Sequence, residues 1–186
     1  RSDRVANALG NLALTTELMD STNAPYSPLD DGNPATLDPT LEQAVTGTLL
    51  GLLDYNLYAT ENGKLVLGGN PFDNRTRDYP FSALLATDLD TLVARYAADQ
   101  AALDNLPPYQ TTGSLTKPLV VMHTTGDPIV PFWHVDLYQA KVAARGYLSN
   151  LSRFDVTRYG HCAFTQAEIM GAFDMLNYLA TGVLSE

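Results

Sequence analysis

The sequence predicts an α/β fold, in which parallel strands and crossover helices are joined to a long, mainly helical insertion. A continuous apolar run at 119–123 is typical of a strand buried on both faces of a parallel sheet. It is followed by a helical pattern at 133–145, an alternating strand pattern at 153–159 and a second helical pattern that Gly182 ends. Upstream, residues 25–110 show helical stripes and turn-rich stretches without a convincing long strand.

Composition restricts the class of protein. The chain has 186 residues, of which 45% are hydrophobic, which is enough for a globular core and excludes wholesale disorder. Its net charge of -10 repels phosphate backbones, so nucleic acid is not an expected partner. No apolar run approaches the roughly 20 residues that span a membrane. The low charged fraction of 17% favours an extracellular or periplasmic location.

The first residue is Arg1 rather than Met, which predicts that the chain is processed from, or expressed as a piece of, a longer protein. The strands predicted here are also too few to form a stable parallel sheet alone. We therefore expect a connecting helix of the core at 1–24, a helical cap at 25–110 and the C-terminal part of the core at 111–186.

The first elements are predicted to be helical, with a long loop between them. Apolar residues at helical spacing predict a helix over 2–19, and four prolines predict a loop over 21–39. Asp38 followed by Pro39 has the form of an N-cap and a first helical position, which opens a helix with an apolar stripe at 41–53.

Two further elements are predicted before residue 110. Residues 64–69 are expected to be a short strand or extended segment, and a helix is expected from about Asp88 to the prolines at 107–108. Four aspartates of this region lack the spacing of a calcium loop, so a solvated helix surface is favoured over a metal site. They are Asp88, Asp90, Asp99 and Asp104.

Two residues of catalytic type follow the predicted strands of the C-terminal region. Asp127 lies in the loop after the apolar strand, and His161 lies in a Gly-His-Cys turn after the alternating strand. Because the carboxyl ends of parallel strands meet at one edge of a sheet, we expect the two side chains to lie within about 2.6–3.2 Å of each other. A carboxylate bonded to one imidazole nitrogen orients the base of a nucleophilic triad. The pair Thr165 and Glu168 then predicts a capping box at the start of the last helix.

These features resemble the C-terminal part of an α/β-hydrolase. Residues 119–131 look like the family's seventh strand and its acid loop, and residues 159–161 with the following helix look like its histidine loop and last helix. The resemblance covers 115–182 and extends more loosely to 25–110, where the family inserts its variable cap. It implies Asp127 as the catalytic acid and His161 as the base, with no cofactor and no metal.

The family's nucleophile is missing from this sequence. In the family it precedes the cap, in Gly-x-Ser-x-Gly on a strand-to-helix elbow, and no such pentapeptide occurs here. The nearest approach, at 112–116, lacks the last glycine and places Ser114 just before the acid strand. We therefore expect the nucleophile upstream of Arg1 and an isolated chain that is inactive.

Both catalytic candidates also have a simpler structural interpretation. Asp127 lies in a Gly-Asp-Pro sequence that favours a turn whatever its function, and His161 is compatible with a structural role in a glycine-flanked turn. His123 is expected to pack or hydrogen-bond at a strand end, and His134, beside Trp133, to pack at a helix start. Cys162 directly follows the histidine, so its thiol is expected not to face the imidazole but to be buried or disulfide-linked to the missing portion.

The sequence thus predicts a portion of a serine hydrolase that supplies the acid and base for carboxylic ester hydrolysis. Its expected partners are a small-molecule or acyl substrate, with the cap setting the pocket, and the missing N-terminal part of the same protein. Amide, peptide and thioester bonds use the same machinery and stay open. The alternative is a non-catalytic binding or interaction module with a hydrolase-like fold. A Gly-x-Ser-x-Gly motif upstream of Arg1 would separate the two hypotheses.

Overall fold

The chain has mixed α/β content in the computed structural model, which describes residues 2–28 and 38–183. Its contacts divide it into two units, the first built from residues 2–26 and 42–110 and the second mainly from residues 111–183. The first unit is mostly helical, and the second holds a two-stranded parallel sheet with two longer helices. The prediction of helices combined with a parallel strand pair is therefore confirmed at this coarse level.

Two helices replace the single helix predicted for 2–19. Helix α1 covers Ser2–Leu9 and helix α2 covers Leu12–Thr22. The break occurs because Asn11 acts as the N-cap of α2, where its side-chain oxygen accepts a hydrogen bond from the Leu14 amide at 3.3 Å. A short polar side chain thus interrupts a continuous apolar stripe.

The predicted loop over 21–39 falls partly outside the described residues. Helix α2 runs to Thr22 and ends on Asn23, whose backbone is left-handed with φ 54. Residues 24–28 are neither helix nor strand, and residues 29–37 are outside the described part. The loop therefore begins about two residues later than predicted.

Helix α3 covers Leu41–Leu67 and is longer than predicted. It begins at Leu41, two residues after the start predicted at Pro39, and assignments of helix ends commonly differ by one or two residues. The strand or extended segment predicted at 64–69 is wrong, because residues up to Leu67 continue this helix. Leu67 is 6% exposed, so its burial stabilises the last turn, and Gly68 ends the helix with a left-handed φ of 74.

The long helix predicted from about Asp88 is also wrong. A small antiparallel hairpin precedes this point, formed by β1 (Phe81–Ser82) and β2 (Thr87–Asp88). A single 3-10 turn follows at Leu89–Thr91, and the only α-helix of this stretch is the short α4 at Gln100–Asn105.

Aspartate side chains explain why that helix does not form. Asp88 accepts from the Asp90 amide at 3.0 Å, and Asp90 accepts from the Tyr79 amide at 2.7 Å. Asp99 likewise accepts from the Asn70 amide at 2.7 Å. Carboxylates that bond to the backbone in this way stabilise loops at the expense of helix.

The second unit follows the predicted strand–helix–strand–helix order. Its elements are β3 (Leu119–Gly126), α5 (Trp133–Ala144), β4 (Leu151–Tyr159) and α6 (Gln166–Thr181). Strands β3 and β4 pair in parallel, and α6 packs against β3. The register is regular from Leu119 opposite Leu151 to Thr124 opposite Val156, after which β4 contains one extra residue.

A glycine is required where the segment before β3 approaches α5. Gly113 has φ 76 and lies so close to α5 that an added Cβ would overlap the carbonyl group of Lys141 and lie 2.9 Å from the Val142 nitrogen. Val142 itself is fully buried. The backbone conformation and the close approach therefore both exclude a side chain at this position.

Gly113→Ala is expected to destabilise the chain by about 2–4 kcal/mol, because it adds backbone overlap to positive-φ strain. Gly146→Ala is the matched control, since Gly146 has φ 79 but nothing within 4 Å of an added Cβ. The control should lose only about 1–2 kcal/mol. Urea unfolding of the two variants measures the difference, and equal losses would contradict the proposed overlap.

Candidate functional site

Asp127 directly follows β3 and is held almost entirely inside the protein. It is 3% exposed. One carboxylate oxygen, Oδ1, accepts from the amides of Ile129 at 2.8 Å and Val130 at 2.9 Å, which closes the turn after the strand. The second oxygen, Oδ2, is left to face the neighbouring loop. The turn chemistry expected of this aspartate is thus present, and it uses only one of the two oxygens.

His161 lies in the loop after β4 and meets that second oxygen. Its Nδ1 is 2.8 Å from Asp127 Oδ2, within the distance predicted from the sequence. Because a carboxylate only accepts hydrogen bonds, this contact places the imidazole proton on Nδ1 and leaves Nε2 as the basic nitrogen. The His161 side chain is 44% exposed, so the ring is accessible while the aspartate beneath it is not.

The loop that carries His161 is tied to the end of β3 at its first residue. The Gly160 amide donates to the Gly126 carbonyl oxygen at 3.1 Å, and the buried Thr124 hydroxyl donates to the Gly160 carbonyl oxygen. Gly160 has φ 122, a conformation that glycine adopts without strain. These bonds bring the two loops together at the carboxyl ends of the strands.

The far end of the same loop is held by Arg158 and Glu168. The predicted capping box is confirmed, since the Thr165 hydroxyl accepts from the Glu168 amide at 3.3 Å while the Glu168 carboxylate accepts from the Thr165 amide at 2.7 Å. Arg158, which is 5% exposed, donates to both Glu168 oxygens, at 2.9 and 3.0 Å, and to the Ala163 carbonyl oxygen. This pair was not predicted from the sequence, although two signals for it are present there, an arginine three residues before the histidine and the glutamate of the capping box.

The pKa of Glu168 lies below its ordinary value, chiefly because the Arg158 side chain hydrogen-bonds to it. A lowered pKa in the folded state means that the carboxylate stabilises the fold above the ordinary pKa of 4.5. This contribution is lost as the pH falls through the lowered value. The folded chain should therefore lose stability below about pH 4.5 in part through this group.

Glu168→Gln should lower the free energy of unfolding at pH 7, and the deficit should shrink as the pH falls below 4.5 and through the lowered pKa of Glu168, where the wild-type carboxyl group also becomes neutral. Urea unfolding at several pH values measures this convergence. Glu61→Gln is the control, because Glu61 is 68% exposed in its pair with Lys64 and should have little effect. A deficit independent of pH would show that the charge of Glu168 is unimportant.

The other two histidines have ordinary roles. His123 lies inside β3, where its Nδ1 bonds to the Thr124 carbonyl oxygen at 2.8 Å and its ring contacts Phe132 edge-on. Its Nε2 is 4.0 Å from Asp127 Oδ2, beyond hydrogen-bond distance. His134 stacks on Trp133 at the start of α5, with ring centroids 4.0 Å apart. The packing or hydrogen bonding predicted for His123 is confirmed, whereas His134 is exposed and stacks on Trp133, which is itself 46% exposed.

Two expectations for Cys162 are wrong, namely that its thiol is buried and that it does not face the imidazole, while a disulfide to the missing portion stays a prediction. The residue is exposed rather than buried, and its Sγ lies 3.6 Å from His161 Nε2. The reason is backbone geometry, since Cys162 adopts a left-handed φ of 51, which turns its side chain back towards the preceding residue. Adjacent residues on regular backbone would point apart, and this turn could not be seen in the sequence.

Ser114 is not part of this site. It is exposed and precedes β3, while Asp127 follows the same strand. A strand of eight residues separates its ends by more than about 20 Å. The structure therefore leaves Ser114 at the opposite end of the sheet from the Asp127–His161 pair, as the order of motifs indicated.

Comparisons with protein-family models, curated proteins and solved structures found no match to this chain. Within residues 2–28 and 38–183, no helix is both long and apolar enough to cross a membrane. The same described residues contain no group of three or more His, Cys, Asp or Glu side chains that could hold a metal. The solvated helix surface predicted for Asp88, Asp90, Asp99 and Asp104 is wrong for the first two, which lie in β2 and the 3-10 turn and accept hydrogen bonds from backbone amides.

Proposed function

We propose that this chain supplies the acid and base of a Ser-His-Asp triad in an α/β-hydrolase that cleaves carboxylic esters. The observation that carries the proposal is the 2.8 Å contact between Asp127 Oδ2 and His161 Nδ1, made by two loops that follow parallel strands. A buried carboxylate, an oriented imidazole and an accessible Nε2 are the parts that nucleophilic catalysis requires of a base and its orienter.

Each residue then has a defined role in the reaction. His161 Nε2 takes the proton of a serine hydroxyl as its oxygen attacks the ester carbonyl, and it returns that proton to the departing alcohol. A water molecule, activated by the same nitrogen, then releases the acid from the acyl-serine. Asp127 holds the imidazole and stabilises its positive charge without itself taking the proton. The serine, by resemblance to the family, lies upstream of Arg1.

We also propose that the 25–110 region contributes the acyl-binding surface. Within the first unit, a groove of about 510 Å³ is lined by residues of α3 and of the loops after it. Two exposed aromatic rings, Phe72 and Tyr96, face this groove beside the polar side chains of Asn56 and Thr60. The two rings suit an aromatic or apolar part of an acyl group, and the polar side chains that make up most of the lining suit a group that also carries hydrogen-bonding atoms.

The reading frame upstream of Arg1 tests the proposal first. We expect it to encode Gly-x-Ser-x-Gly after a strand and before a helix. The protein that includes this segment should hydrolyse short acyl esters, and changing the motif serine to alanine should abolish the reaction. A parent chain without the motif would instead support the non-catalytic binding module.

A second candidate function uses Cys162 as the nucleophile, because its Sγ lies 3.6 Å from His161 Nε2. In this case the thiol would pass its proton to the imidazole as its sulfur attacks the ester carbonyl, the alcohol would leave with that proton, and water would then hydrolyse the resulting thioester. Alkylation by iodoacetamide tests it in the chain itself. A rate that falls at least about tenfold in His161→Ala would support an activated thiol, and an unchanged rate would exclude it.

A further inference from the structure

Arg158 is unusual because a guanidinium group is buried beside the candidate site. It lies in the part of β4 where the register shifts by one residue, and it is 5% exposed. A buried charge needs an opposite charge and a full set of hydrogen bonds. Its fork with the Glu168 carboxylate supplies the charge, in the bidentate geometry that only arginine can form.

The same guanidinium also reaches the loop that carries the imidazole. Arg158 Nη1 donates to the Ala163 carbonyl oxygen, two residues after His161, and Glu168 accepts from the Thr165 amide at 2.7 Å. The start of the loop is held independently through Gly160. His161 therefore lies on a short segment whose two ends are bonded to buried groups.

The imidazole itself has few restraints. Its ring is 44% exposed, and its bond to Asp127 is the contact that orients it. An exposed ring with one strong partner keeps its orientation only if the backbone beneath it is fixed, since small displacements break a hydrogen bond of 2.8 Å.

We propose that Arg158 and Glu168 are a positioning pair, which fixes the 160–165 loop so that His161 Nδ1 meets Asp127 Oδ2. Neither residue contacts a reacting atom. The use of this positioning in catalysis rests on the proposed function, but the positioning itself is a property of this chain and can be measured without substrate.

The test uses ¹⁵N-histidine labelling of the 186-residue chain, which contains three histidines. In the wild type we expect His161 to carry its proton on Nδ1, with a proton resonance shifted downfield by the bond to Asp127. In Arg158→Lys one nitrogen replaces the planar guanidinium, so the two-nitrogen fork to Glu168 that also reaches Ala163 cannot be kept. This variant should lose the downfield resonance and gain the Nε2-protonated form, while the signals of His123 stay unchanged.

Arg153→Lys is the matched control. Arg153 also lies on β4 and pairs with two carboxylates, at 2.8 and 3.0 Å, but these belong to Asp136 and Asp155 and not to the loop. It should leave the His161 resonances unchanged. If Arg158→Lys fails to fold, as judged by its amide spectrum, Glu168→Gln answers the same question with the same readout.

Two results would overturn the inference. One is a wild-type chain without a proton on His161 Nδ1. The other is a folded variant of the pair in which the Nδ1 proton and its downfield shift persist, which would make the pair merely structural. In the full-length protein, Arg158→Lys should lower kcat on the order of 10- to 100-fold with KM within about twofold. Absence of any hydrolysis by the full-length wild type would count against the proposed function alone.

Discussion

On the proposed function, His161→Ala should lower kcat for ester hydrolysis by a factor on the order of 10⁴ or more in a protein that includes the upstream serine motif. The variant would remove the nitrogen proposed to take the serine proton, and no other described side chain is placed to replace it. His123 Nδ1 is bonded to the Thr124 carbonyl oxygen, and its Nε2 lies 4.0 Å from Asp127 Oδ2. Neither nitrogen therefore takes the place of His161 Nε2. Steady-state kinetics on a short acyl ester measures the loss.

Asp127→Asn should produce a loss of similar size, on the order of 10⁴ in kcat, by a different route. Its side-chain amide can donate to His161 Nδ1, which would favour the imidazole tautomer with the proton on Nε2. That nitrogen could then no longer accept the serine proton. Ile129 and Val130 keep an acceptor in the asparagine oxygen, so the turn itself should persist.

The histidine control is His134→Gln. His134 stacks on Trp133 and has no part in the proposed reaction, so this variant should retain activity within about twofold. Thermal unfolding of all three variants separates lost chemistry from lost folding. Near-full activity of a folded His161→Ala protein would eliminate this residue as the base.

The isolated 186-residue chain should not react with a fluorophosphonate probe, whereas a parent protein with the upstream motif should be labelled on its serine. The probe needs a hydroxyl group next to an activated base, and donors for the oxyanion that develops. The chain supplies the base and its orienter, but Ser114 lies at the other end of β3. Intact-mass measurement after exposure to the probe gives the stoichiometry directly.

Two variants make this labelling experiment decisive. In the parent protein, His161→Ala should strongly slow the labelling, because the serine loses its base. In the isolated chain, Cys162→Ala removes the one thiol near Nε2, and any residual labelling must then come from a hydroxyl. Stoichiometric, His161-dependent labelling of the isolated chain would mean that its nucleophile lies within these residues and that the proposal is wrong on this point.

The order of elements in the second unit could be predicted because its signals are local and strong. The apolar run that forms β3, the alternating pattern of β4 and the capping box at Thr165 and Glu168 each depend on near neighbours in the chain. The contact between Asp127 and His161 was predictable for a related reason, since parallel pairing places the ends of both strands at one edge.

Two wrong helix predictions in the first unit have a common physical cause. Stripes of apolar residues predicted helices where short polar side chains instead bond to the backbone, as Asn11 and Asp99 do. The prediction for residues 64–69 has a different cause of error, since an extended segment was expected where a helix forms. There, continuation of the long helix α3 and burial of its last residue, Leu67, outweigh the local extended pattern.

By itself, the sequence determined the order of strands and helices in the second unit, the two residues that meet at its sheet edge and the lack of a Gly-x-Ser-x-Gly motif in these 186 residues. Only the tertiary structure decided which atoms meet. No local sequence pattern encodes the single-residue register shift in β4, the left-handed backbone of Cys162 or the fork from Arg158 to Glu168. Side-chain chemistry can be read from residue types, but the bonds that hold the two ends of the His161 loop, from Gly126 and Thr124 on one side and Arg158 on the other, appear only in the folded structure.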